Sequence, residues 1–134
     1  RFGYLGSNPY RSVCTISSHD MPTLRQWWDE DFERTQAYYN SMLYRGGAAP
    51  HPLPGWLARD IVSRHLISPS MLCILSVQDD EKLRLADQNA ERINIPANPK
   101  HYWRYRMHVS IEDLMQNTDF RENVTELVCQ SGRE

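Results

Sequence analysis

Residues 71–77 read MLCILSV, a near-continuous apolar run of strand length that stops at Gln78, Asp79 and Asp80. A strand with one wet face alternates polar and apolar positions. A run without alternation predicts a strand covered on both faces, as in a parallel sheet. Upstream, residues 11–18 (RSVCTISS) gather Val13, Thr15 and Ile16 between Pro9 and Pro22, which predicts a second short strand. The sequence between the two strands reads as helical. Pro22 suits a first helical turn, where its missing N–H costs nothing. Leu24, Trp27, Trp28 and Phe32 then recur at helical spacing, predicting one helix to about residue 43. Asp29, Glu30, Asp31 and Glu33 fall on its other face and read as solvated surface, with an acidic docking site as the alternative. Residues 46–55, GGAAPHPLPG, are predicted to be an irregular, mobile loop. A second helix over 56–66 places Leu57, Ile61, Val62 and Leu66 on one side and closes at Ser68 and Pro69.

Two strands separated by helices imply a parallel pair joined by a crossover, the α/β class. Beyond the second strand, residues 78–108 turn irregular and rich in Asn, Pro, Arg and aromatics, the composition of a functional loop. Residues 110–130 read as terminal helices. Ser110 caps one with Asp113 three residues on, and Thr118 or Asp119 starts the last, with Phe120, Val124, Leu127 and Val128 inward. A lone two-stranded parallel sheet has unpaired edges and little cover, so further strands are expected from elsewhere. A (β/α)8 barrel of roughly 250 residues or more would supply them. The chain starts at Arg1, not Met, in loop-like sequence, and is expected to be a piece of something longer, with 1–134 belonging to a single domain.

The 134 residues are 40% hydrophobic and 24% charged, which predicts one folded domain and excludes disorder. Fifteen Lys and Arg against 17 Asp and Glu give a net charge of -2, so the concentrated positive charge that phosphate backbones require is missing and no nucleic-acid partner is expected. No apolar run approaches the roughly 20 residues needed to cross a bilayer, and residues 1–12 lack a signal pattern, so no membrane partner is expected. Three cysteines without a CxxC pair predict reduced thiols in a cytoplasmic protein.

Ser18, His19 and Asp20 are the residue types of a hydrolytic triad, but three consecutive residues cannot form its hydrogen-bond relay. They do place a His and an Asp at the carboxyl end of a strand, where barrel enzymes carry their working groups. The plainer reading makes Asp20 a cap for the helix near Pro22. His19, His51, His101 and His108 show no HxxxH spacing, so no metal and no cofactor are expected. Trp27, Trp28 and Trp56 fit helix cores, whereas Tyr102, Trp103 and Tyr105 alternate with Arg104 and Arg106 in the irregular stretch. Such rings suit the C–H face of a sugar; a domain-sealing aromatic cluster is the other reading.

Two blocks carry a resemblance to a known family: SSHDMPTLRQWW at 17–28, and QDDEKLRLADQNAERINIPANPKHYWRYRMHVSIEDL at 78–114. They resemble the 4-alpha-glucanotransferases, the amylomaltases or disproportionating enzymes of glycoside hydrolase family 77. The likeness runs from about Arg11 to Gln116. Ala97 and the pair Tyr102 and Trp103 depart from the bacterial pattern and look like the branch containing plant disproportionating enzyme 2. The resemblance implies the carboxyl-terminal fragment of a (β/α)8 barrel, its last two βα units plus closing helices. It implies transfer of α-1,4-glucan segments or glucosyl units from maltose or malto-oligosaccharides, in starch or glycogen metabolism, to a glucan or glucose acceptor by retaining double displacement. Asp20 then matches the carboxylate that stabilises the transition state. His19 and Asn94 match residues that bind the sugar, and Pro96, Tyr102 and Trp103 lie on the substrate-side loop. The resemblance places the nucleophile and the acid/base upstream of His19, in the remainder of the barrel, so the isolated segment is expected to be inactive. A non-catalytic carbohydrate-binding or scaffold module is the reading from a different class.

Overall fold

The computed structural model describes residues 2–101 and 103–133. Its first helix, α1 (Leu24–Glu30), starts where Thr23 and Gln26 cap each other: the Gln26 backbone N donates to the Thr23 hydroxyl, and the Thr23 backbone N donates to Gln26 Oε1 at 3.2 Å. The single helix expected to run to about residue 43 is two helices. Asp31 leaves helical geometry at φ -146° and accepts from Arg34 N at 2.9 Å, which makes it the cap of α2 (Phe32–Ser41). The physical reason is local. Asp29, Glu30 and Asp31 crowd negative charge onto the negative end of α1, whereas Asp31 at the start of a new helix meets free N–H groups.

Helix α3 (Gly55–Leu66) buries Leu57, Ala58 and Ile61 against Leu24, Trp28, Tyr39, Leu43, Ala49 and Leu53, the main core. The predicted mobile loop at 46–55 is part of that core. Ala49 and Leu53 are buried, Trp28 Nε1 donates to Pro50 O at 2.9 Å, and Gln36 takes up both Gly47 O and Ala49 N. Val62 and Leu66 on the far side of α3 meet Leu127 of the last helix.

The two strands, β1 (Val13–Cys14) and β2 (Leu72–Cys73), run parallel with Val13 opposite Leu72 and Cys14 opposite Cys73. Met71 N on Tyr10 O and Ile74 N on Cys14 O extend the pairing. The strand expected over 71–77 is thus shorter than its apolar run, because Val77–Asp79 already turns into a 3₁₀ helix. Residues 78–108 continue through two more 3₁₀ turns, Glu81–Leu83 and Gln88–Glu91. Helix α4 (Ile111–Gln116) is capped by Ser110, and α5 (Thr118–Ser131) by Asn117 and, at its far end, by Gly132 in the left-handed region. Arg133 then ties the end of α5 to the start of β2 through the carbonyls of Leu66, Ser68, Ser70 and Met71. Among the described residues no helix is long and apolar enough to cross a membrane.

The sheet is not covered on both faces within this chain. Val13, Leu72 and Ile74 are 56%, 49% and 59% exposed, an apolar ridge on which a β-strand's unpaired edge also opens. The isolated chain should therefore bind a hydrophobic dye and be cut readily by protease. A sharp cooperative melt without dye binding would show that this ridge is harmless in solution.

Candidate functional site

His19 and Asp20 follow the carboxyl end of β1 in a turn closed by Met21 N on Ser18 O at 3.0 Å. Asp20 does not cap α1, since Thr23 does. Its Oδ1 instead accepts from Asn94 Nδ2 at 2.6 Å, and the Asn94 backbone N donates to His19 O at 3.1 Å. Residues widely separated in sequence thus form one unit. His19 Nε2 stands 3.4 Å from Asp20 Oδ2, and the His19 ring is tilted against the Trp103 indole with centroids 5.2 Å apart. Asn94 is buried, while the side chains of His19 and Asp20 are about half exposed and Trp103 is exposed, so the site has a fixed floor and an open top. Pro96 is exposed beside it, on a turn closed by Asn98 N on Ile95 O at 2.9 Å. Tyr102 lies outside the described residues.

Three side chains that the sequence did not single out hold this arrangement. Arg92 Nε donates to Asn94 O at 2.7 Å and Nη2 to Asp20 O at 3.4 Å, so one guanidinium fixes both backbones. Glu91 is buried, pairs with Arg25 Nε at 2.8 Å and accepts from Leu85 N at 2.7 Å, clamping the 85–91 segment onto α1. Asp79 is buried below the site, where it accepts from Ser17 Oγ at 2.5 Å and from Leu24 N at 2.7 Å. Burial pushes the Asp79 carboxyl above its ordinary range. The hydrogen bonds from Ser17 and Leu24 oppose that rise, and the charge of Glu91 adds to it. The signal for Asp79 was present as the residue that ends the apolar run, but a strand stop and a buried acceptor look alike in sequence.

A second His–Asp pair is structural. His51 Nδ1 meets Asp29 Oδ1 at 2.8 Å and its Nε2 lies 3.4 Å from Thr35 Oγ1, yet Thr35 is fully buried and its hydroxyl donates back to its own helix. No substrate can reach such a hydroxyl. Among the described residues no group of three His, Cys, Asp or Glu could hold a metal ion. The Asp20 cluster offers a carboxylate held at one oxygen by an amide, an imidazole and an open indole face. Those groups can accept and donate to hydroxyls and set a negative charge beside a positive centre.

The chain is thus a parallel α/β unit that carries these groups beyond the carboxyl ends of its strands. Comparison with known sequences gives the family: residues 2–112 match the profile of glycoside hydrolase family 77, described as 4-alpha-glucanotransferase, and the chain belongs to that family. It is 38% identical, over 98% of its own length, to 4-alpha-glucanotransferase DPE2 of rice, Oryza sativa subsp. japonica. The chain spans 14% of that rice protein's length.

Asp79 gives a test of how the site is held. Asp79→Ala strips Ser17 and the Leu24 amide of their buried acceptor and should cost about 1–3 kcal/mol by urea unfolding. Asp79→Asn keeps an acceptor for Leu24 N and should cost less. Because the native carboxyl titrates above its unfolded value, the folded state holds this proton to higher pH, and the contribution of Asp79 weakens as pH rises from 3.8 through the native value. The Asn variant should lack that component of the pH profile. Equal unfolding midpoints for wild type and Asp79→Ala would remove Asp79 from the account.

Proposed function

We propose that this chain works as the carboxyl-terminal part of the catalytic barrel of a cytoplasmic 4-alpha-glucanotransferase. In that role it contributes the last two βα units and the closing helices of a (β/α)8 fold, with the His-Asp motif following β1 (Val13–Cys14) and with β2 (Leu72–Cys73) as the last strand. Residues 46–55 and 110–130 pack outside that strand pair, and 78–108 form the substrate-side loop. The parallel pairing of β1 with β2, with helices between them, supports this placement.

The reaction moves an α-1,4-glucan segment or a glucosyl unit from maltose or a malto-oligosaccharide to a glucan or glucose acceptor with retention of configuration. Retention requires a nucleophilic carboxylate and an acid/base about 5 Å apart, followed by attack of the acceptor on the glycosyl-enzyme intermediate. Both of those groups come from sequence outside this chain, so the isolated segment is inactive. Asp20 supplies negative charge near the anomeric centre as it turns cationic, His19 and Asn94 bind hydroxyls of the distorted sugar, and Pro96, Tyr102 and Trp103 shape the substrate side. The observation that carries the reading is the 2.6 Å contact of Asn94 Nδ2 with Asp20 Oδ1, in which a neutral amide holds the carboxyl group in place. A charge held in place before the reaction costs no reorganisation when the transition state forms.

In the full-length enzyme Asp20→Asn should lower kcat by about 10²–10³ while KM changes little, since the amide keeps size and hydrogen bonding and loses only the charge. His19→Ala should be milder, because it removes a hydroxyl contact and leaves the counter-charge. Glucose release and product chain lengths, with melting curves as the control for folding, decide the matter. Wild-type turnover in a folded Asp20→Asn variant would end the catalytic assignment.

A further inference from the structure

Two of the three cysteines, Cys14 of β1 and Cys73 of β2, stand directly opposite one another in the sheet. We propose that they form a reversible disulfide, a covalent fastening of β1 to β2 that closes when a small disulfide oxidises the pair and opens when thiols reduce it.

Three observations carry it. The first is register. Neighbouring strands lie about 4.8 Å apart, so residues paired across them bring their Cα atoms within the roughly 4.4–6.8 Å span of a disulfide. Cys14 pairs with Cys73 itself; a slip of one residue would turn one thiol to the opposite face. The second is contact. Cys14 is buried, Cys73 packs against Val62, Leu66 and Leu127 on the helix-covered face, and the two thiols are hydrogen-bonded to one another. Cβ atoms held at strand spacing are slightly wider apart than the roughly 3.5–4.5 Å of a relaxed disulfide, and a strained bond is readily reduced. The third is access. Cys73 is only half-buried, so a small reagent can approach its sulfur from one side. Burial lifts the Cys73 thiol above its ordinary range and Cys14 adds to the rise, whereas the Arg133 guanidinium, fixed by the carbonyls of Ser70 and Met71, opposes it. The pair is therefore a slow lock and not a rapid sensor.

The exchange takes two steps. The Cys73 thiolate attacks one sulfur of the oxidant, whose S–S bond breaks, and one small thiolate leaves. Cys14 then passes its proton to that thiolate and attacks the Cys73 sulfur, expelling the second small thiolate. Two protein thiols lose two electrons, and the oxidant gains them as two thiols. Ser17 follows Cys14 and Asp79 follows Cys73, so the new bond joins covalently the same two strand exits that the Ser17–Asp79 hydrogen bond joins without it.

The test uses the full-length protein, equilibrated in oxidising and in reducing mixtures of glutathione disulfide and glutathione, alkylated, and digested with trypsin without reduction. Mass spectrometry should find the peptides Ser12–Arg25 and His65–Lys82 joined in the oxidising mixture and separate in the reducing one. The joined protein should melt a few degrees higher, because the cross-link constrains the unfolded chain. Cys14→Ser and Cys73→Ser should each lack both effects, and the wild-type peptides decide the matter even where a variant fails to fold. Glutathione retained on Cys73, a link from either thiol to Cys129 or to another cysteine, or two thiols still open to alkylation in the oxidising mixture would each overturn the inference. So would a joined protein that melts no higher than the reduced one.

Discussion

The Asp79 carboxylate binds three parts of the chain to one another. Ser17 leaves β1, Leu24 begins α1, and Asp79 itself follows β2; one oxygen of the carboxylate serves Ser17 and the other the Leu24 amide. His19 and Asp20 lie between Ser17 and Leu24, so both ends of the short segment that carries them are fastened to the same buried group. Burial makes the charged form of Asp79 unfavourable, and the two donors are what make the position tenable. Without them the exit of β1 would have no fixed relation to the helix that follows.

A second layer of polar contacts sits between that anchor and the surface. Arg25 and Glu91 pair with little access to water, and Arg92 spends its donors on the backbones of Asn94 and Asp20. Removing one partner of such a buried pair leaves an uncompensated charge, which is why each of these residues constrains its neighbours more than its own pairing energy would suggest. Above it Asp20, whose backbone Arg92 holds, and His19 and Trp103, which pack on one another, remain exposed.

Parts of this were legible in the sequence. The apolar runs around Val13 and at 71–77 gave the strands, and the helical spacing between them gave the crossover, because burial of a whole face leaves a periodic trace. The break at Asp31 left none. Trp28 and Phe32 keep helical spacing across it, and whether an aspartate continues a helix or caps the next one is settled by competition among charges at that point. The His19 and Asp20 assignment came from a motif resembling a family, and the contact with Asn94 needed the folded loop. Asp79, Glu91 and Arg92 were invisible as functional supports because a charged residue's burial is a property of what packs around it, and the surrounding residues are distant in sequence.

The 46–55 loop has a consequence for anyone who wishes to reengineer the chain. Rich in glycine and proline, it has the composition that protein engineers choose for tags, permuted ends or split points. Here its backbone is bound by Trp28 and Gln36, its Leu53 carbonyl accepts from Arg84, and Ala49 and Leu53 complete the core. Opening the chain there would remove the lid from the indole of Trp28 and detach Arg84 in the same stroke. The graft point should be chosen by what the backbone is bonded to, and by that measure this stretch behaves as an interior element without regular secondary structure.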